Sequence, residues 1–151
     1  MKIDYMVLAD AAQAVGGKIF ILGGGWNVFR AANYPAPVQL AVAAGIGFSG
    51  NEIGSRYPLK IAILDETGVL VVPELNGQID TGQLMVDIPQ GLPIKTPMAW
   101  NVSFPVPRPG RYRIVLSVGP TQAEVSFDAI VVGQKIAFSP EASKPSGERG
   151  N

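Results

Sequence analysis

The chain has 151 residues, 12 of them basic and 12 acidic, and contains neither cysteine nor histidine. That removes disulfides, thiolate metal sites, cysteine nucleophiles and the imidazole on which most general-base, zinc and pH-switch chemistry relies, and a formal net charge of zero supplies no field to draw in nucleic acid or an anionic membrane. Charged residues make up 16 % of the chain and Gly and Pro number 18 and 13, which reads as one domain of many short strands, long enough to bury a core without metal or disulfide staples.

In chain order, Ile3 to Ala9 is apolar on both alternating faces and predicts a strand buried on both sides. Asp4 and Asp10 bracket an apolar run of five residues, too short for a secretory core, and no stretch approaches the ~20 apolar residues of a spanning helix. The expectation is a soluble, cytoplasmic protein. Ala9 to Val15 reads as strand, with a helical turn as the alternative, and Gly16-Gly17 as a turn. Lys18 to Trp26 then runs four bulky apolar residues into three glycines and a tryptophan. It predicts a core strand, antiparallel to the first, ending in a bent corner that Trp26 pins to the core; Asn27 to Phe29 continue it past a bulge. A phosphate loop would require a helix after the glycines, and Asn27-Val28-Phe29-Arg30 does not start one.

Asn33 to Pro37 predicts a stiff loop. From Val38 to Phe48, bulky residues occupy one face while Gln39, Ala41, Ala43, Gly45 and Gly47 occupy the other. That predicts a central strand whose small-residue face admits another backbone or an aromatic ring. Ser49 to Tyr57 reads as a loop or a single helical turn. Pro58 to Leu64 and Val69 to Val72 read as a hairpin around Asp65-Glu66-Thr67-Gly68, Glu74 to Gln83 as irregular, Leu84 to Ile88 as a strand, and Gln90 to Pro97 as a connection between sheets. Met98 to Val106, Arg111 to Val118 and Glu124 to Val132 alternate cleanly and predict a three-stranded meander. Ser139 to Asn151 is almost without bulk. The fold class expected is all-β: a two-layer antiparallel β-sandwich of about eight or nine strands, with a barrel as the alternative, over residues 1–133, and a flexible tail over 134–151.

Few side chains suggest chemistry. Asp4, Asp10, Asp65, Glu66, Asp80 and Asp87 lack the spacing of a calcium loop, which leaves only a loop-assembled site open. Arg108, Arg111 and Arg113 form a small basic patch that reads as a solvated edge. Trp100 and Tyr112 fall on apolar faces and read as core, whereas Tyr34 and Tyr57 fall in expected loops. Tyr34, Tyr57, Arg108, Arg111 and Arg113 are therefore the candidate contact surface. No catalytic, cofactor or metal residue is assigned.

The segment Leu8-Ala9-Asp10-Ala11-Ala12 through Gly17-Lys18-Ile19-Phe20-Ile21-Leu22-Gly23-Gly24-Gly25-Trp26 resembles a widespread bacterial family known only as a domain of unknown function. Leu59-Lys60-Ile61 to Asp65-Glu66-Thr67-Gly68, and Phe104 to Tyr112 with its Pro109-Gly110-Arg111-Tyr112 turn, are similar to it as well. The resemblance spans most of residues 1–133. It implies a β-sandwich and carries no activity or functional residue with it. The functional expectation is a non-enzymatic interaction or assembly module with a protein partner or self-association, and no nucleic-acid or membrane partner. The alternatives are a small-ligand or carbohydrate-binding module and a hydrolase working through Asp4, Asp10, Asp80 or Asp87.

Overall fold

The computed structural model describes residues 1–84 and 92–133. Ten strands follow one another: β1 Lys2–Ala9, β2 Ala11–Val15, β3 Lys18–Leu22, β4 Val28–Ala31, β5 Ala36–Phe48, β6 Arg56–Leu64, β7 Leu75–Asp80, β8 Ile94–Val106, β9 Gly110–Val118 and β10 Thr121–Val131. Short 3-10 turns lie at Gly50–Glu52 and Thr81–Leu84, and among the described residues no helix is long and apolar enough to cross a membrane.

The fold is all-β. One sheet has the order β1-β5-β8, a second β4-β10-β9-β6-β7, and β2 and β3 form a two-stranded sheet of their own. β5 is central because its two faces are built for two different neighbours. Val38, Leu40, Val42, Ala44, Ile46 and Phe48 point inward and meet Leu59, Ile61 and Ile63 of β6, Tyr112, Ile114, Leu116 and Val118 of β9 and Phe127 of β10 in one core cluster. These two inner faces make the sandwich. Ala41 and Ala43 point outward and form a second, small cluster with Ala9 and Ala12, so the β2–β3 hairpin lies on the outer face of the three-stranded sheet. The Tyr5 ring also lies on this face, over Gly45, where a Cβ would sit 2.2 Å from Tyr5 Cε1. Backbone and aromatic approach to the small-residue face, as expected from its composition, both occur.

Several expectations are corrected. Lys18–Leu22 does return antiparallel across Gly16-Gly17, against Ala11–Val15, but the expected first strand is broken at Asp10, and its earlier part, β1, pairs with β5. Ala11–Val15 is strand, the favoured reading, and not the helical turn held as its alternative. Val28–Ala31 is a separate strand, parallel to β10, the one exception to antiparallel pairing among the described residues. The meander fails at its first strand: β8 pairs with β5, so the Pro107-to-Pro109 segment crosses between sheets, and β9 lies between β10 and β6. Alternation identified each strand, but a turn of prolines does not distinguish a hairpin from a crossover. The expected return strand at 69–72 is reduced to a bridge between Leu64 and Leu70, with Val71 N donating to Ile63 O, and the ladder on that edge is made by Leu75–Asp80, in the stretch expected to be irregular. β8 begins at Ile94, inside the expected connection. The strand expected at 84–88, apart from Leu84, Asp87 and the tail expected over 134–151 lie outside the described residues.

Candidate functional site

The expected corner is present and does what its residues suggest. Gly23 and Gly25 have φ of +61° and +88°, a conformation that only glycine adopts cheaply. A Cβ on Gly23 would sit 2.1 Å from Asp10 Oδ2. Asp10 N donates to Leu22 O (3.0 Å), and Gly25 N to Leu8 O (2.8 Å), so the corner is closed by backbone bonds. Trp26 beyond it packs edge-on against Phe127, centroids 5.9 Å apart, with its indole Nε1 buried and unpartnered.

The strand leading into that corner is not core. Phe20 is 59 % exposed, Leu22 71 % and Val15 52 %. The register opposes Ala11 to Leu22, Ala12 to Ile21, Gln13 to Phe20, Ala14 to Ile19 and Val15 to Lys18. By period two, Ala12, Ile19 and Ile21 face the sheet, while Val15, Lys18, Phe20 and Leu22 share the outer face. Docking is through Asn101 of β8: its Nδ2 donates to Ala12 O (2.9 Å), and Ala12 N donates to its Oδ1 (3.2 Å). One side-chain amide thus takes the place of a neighbouring strand along β2. β3 has no such neighbour. In a two-residue hairpin closed by Val15 and Lys18, the N–H and C=O groups of Ile19 and Ile21 point away from β2, to an edge that no strand among the described residues covers. An open groove of about 640 Å³ lies where the arm meets the sheet, lined by Ala11, Gln13, Phe20, Leu22 and Asn101 among others.

The residues expected to form a contact surface are elsewhere and have partners. Arg111 makes a two-pronged contact with Asp128 (3.0 and 3.1 Å), which raises the already high pKa of the guanidinium; Arg113 reaches Glu124 (3.4 Å). Arg108 bonds Asp65 (3.0 Å). Tyr57 is on β6, not in a loop: Pro58 does not open the strand but sits inside it, and the Tyr57 ring stacks on Phe48 (5.9 Å) while its hydroxyl donates to Glu52 O (3.1 Å). Tyr34 does lie in a loop, half-buried; its hydroxyl donates to Ile130 O (2.8 Å), and burial of the phenol raises its pKa. Tyr112, buried, stacks on Phe127 (5.4 Å) and donates to Arg108 O (2.7 Å), four residues upstream. Trp100 is half-buried against the core.

The carboxylates are held singly. Asp4 pairs with Lys95 (3.0 Å) and Lys2 (3.5 Å), and the Lys95 contact holds its pKa below the ordinary value. Asp80 pairs with Arg56 (2.9 Å). Among the described residues no group of three or more metal-ligating side chains gathers. Among them, too, Asp10, Lys18 and Arg30 are the charged side chains without an ion pair, and two of these three belong to the arm and its corner.

Asn101 and the exposed face of β3 went unrecognised in the sequence. The available signal was that Lys18–Leu22 is apolar on both faces yet only five residues long, and that a lone amide interrupts the outer row Pro97, Ala99, Asn101. A search of curated proteins returned no match. The model of the family of unknown function DUF6941 matches residues 4–128, most of the sandwich and the whole arm, and the chain belongs to that family.

Proposed function

We propose that this domain is a non-enzymatic interaction module that docks through the β2–β3 arm. The observation that carries this reading is the combination, on one short hairpin, of a free strand edge and exposed Phe20, Leu22 and Val15. An apolar face held rigidly against a sheet, with its backbone edge open, is the geometry of strand-addition contacts. Other exposed bulk, at Val69, Leu70 and Leu75, surrounds the β6–β7 connection, where the edge strand β7 is flanked by the ion-paired Glu74 and Asp80. On the outer face of the five-stranded sheet Arg111 and Arg113 are each paired within the chain, with Asp128 and Glu124, which makes them the poorer contact residues for a partner.

The test is a photo-reactive phenylalanine analogue at position 20 of the full chain, irradiated in its source cells, with the same probe at Arg113 as control. Protein adducts at position 20 and few at 113 are expected; an absence of adducts at 20 overturns the reading. A second reading, a small-ligand module, draws on the groove of about 640 Å³ beside Phe20 and Asn101. It requires a sugar, nucleotide or apolar ligand to raise the melting temperature in the wild type and not in Phe20→Ser.

A further inference from the structure

We propose that the partner of the arm is a second copy of this chain, and that two arms join edge to edge, β3 against β3, antiparallel about a two-fold axis at Phe20. This rests on the reading of the arm as a contact surface and adds its occupant and register. The backbone supplies the first argument. The outward N–H and C=O groups of Ile19 and Ile21 are the ones that need a strand. An antiparallel copy centred on Phe20 sets Ile19 opposite the other copy's Ile21 as a hydrogen-bonded pair, twice by symmetry. Phe20 then faces Phe20 as a non-hydrogen-bonded pair, the position where cross-strand side chains come closest. Leu22 faces the aliphatic stem of Lys18.

Charge supplies the second argument and chooses the direction. Lys18 stands at one end of β3, and the Asp10 carboxylate lies against Gly23 at the other. Neither has an ion-pair partner among the described residues. Antiparallel pairing carries each Lys18 to the corner holding the other copy's Asp10, satisfying both charges in both copies; parallel pairing sets like ends together. The two edges of the three-stranded sheet show how a strand is kept from such pairing: β8 carries Pro97 and Pro105, and β1 carries Lys2 and Asp4 in ion pairs; of the edges of the five-stranded sheet, β4 carries Arg30, and β7 ends in Asp80, which is paired with Arg56. β3 has no proline and one charge, placed at its end. The product is a four-stranded sheet, β2-β3-β3-β2, bridging two sandwiches.

Sedimentation equilibrium of the full chain over micromolar concentrations tests this. The wild type is expected to dimerise, and Phe20→Glu to be monomeric with an unchanged melting temperature. Lys18→Glu and Asp10→Lys are each expected to weaken the dimer about tenfold or more. Mixed one to one, they should recover it, since each reversed end then meets its opposite. Should Asp10→Lys fail to fold, the wild-type dimer reads the same pair, its dissociation constant rising with ionic strength. A monomeric wild type, a dimer that survives Phe20→Glu, a mixture no tighter than its components, or a salt-independent dimer overturns the proposal. Photo-adducts from position 20 with a different protein and never with a second copy leave the contact surface standing and remove the self-pairing; no adducts remove both.

Discussion

The β9–β10 and β2–β3 hairpins share a plan: antiparallel and closed by two-residue turns carrying glycine at positive φ. β9 lies between β10 and β6 and presses Tyr112, Ile114, Leu116 and Val118 against β5, all of them essentially inaccessible. Among the described residues β3 has a neighbouring strand on one side only, and it turns Phe20 and Leu22 outward. The difference lies in what the sheet beneath offers. β5 presents branched aliphatics to β9, but Ala41 and Ala43 to the arm, a flat surface that seats Ala12 and Ile19 and leaves Phe20 and Leu22 on the far side. Period-two alternation therefore reports that a strand has an apolar face; the side chains opposite decide whether that face is spent on folding or left for something else.

The sharpest way to break this comparison is to truncate the same residue type in each hairpin. Leu116→Ala is expected to cost about 2–5 kcal/mol in urea unfolding, the transfer free energy plus a residual cavity. Leu22→Ala should stay within about 0.5 kcal/mol, because its side chain is already solvated. Equal losses would mean that the arm is part of the core. Next in size is Asn101→Leu, which leaves Ala12 N–H and C=O facing an apolar side chain at a cost of roughly 1–3 kcal/mol. The loss should be local: amide exchange of β2 and β3 accelerates while that of β9 does not. Parallel acceleration of β9 would show that arm and sandwich unfold as one unit.

How much of this was legible follows the same division. The two faces of Val38–Phe48 could be read because a row of Ala and Gly opposite a row of branched residues has one physical meaning: close approach on one side, packing on the other. The Gly23-to-Trp26 corner could be read for a similar reason, since positive φ and an anchoring indole are local properties. The seat of Lys18–Leu22 could not. Its seat depends on where β8 runs and on the Asn101 amide, which bonds Ala12 across 89 residues, neither of which marks the segment itself. The arginines were legible as surface residues, but their carboxylate partners are set by the β9–β10 register and the β6–β7 turn, which periodicity does not specify.

A smaller, pH-dependent effect belongs to the turn after β6. The Thr67 hydroxyl and the Val69 N–H, with Arg108 beside them, hold the Asp65 carboxyl below its ordinary value. A depressed folded-state pKa means the unfolded chain binds the proton more readily. The stabilisation is therefore complete above the unfolded value, about 4, and lost as pH falls through the lower folded one. Asp65→Asn should flatten the acid limb of the stability curve, and the two proteins should converge at the lowest pH. An unchanged limb would move the acid sensitivity to other carboxylates such as Asp4 or Glu52, both also depressed.

The smallest effect is expected where the chain's charges look most deliberate. Arg113 and Glu124 meet at 3.4 Å on the outer face of the five-stranded sheet, with side chains 39 % and 55 % exposed. Holding two long side chains together in water offsets most of the Coulomb gain, so a double-mutant cycle with Arg113→Gln and Glu124→Gln should give a coupling under about 1 kcal/mol. The cycle should also leave the oligomeric state untouched, because both partners sit in one chain and far from β3. Reversing Lys18 is the contrasting experiment: similar exposed charge chemistry, little change in unfolding, and a change in assembly. If the Arg113–Glu124 cycle altered association while Lys18 reversal did not, the self-paired face would be the contact surface and the arm merely an unusually apolar edge.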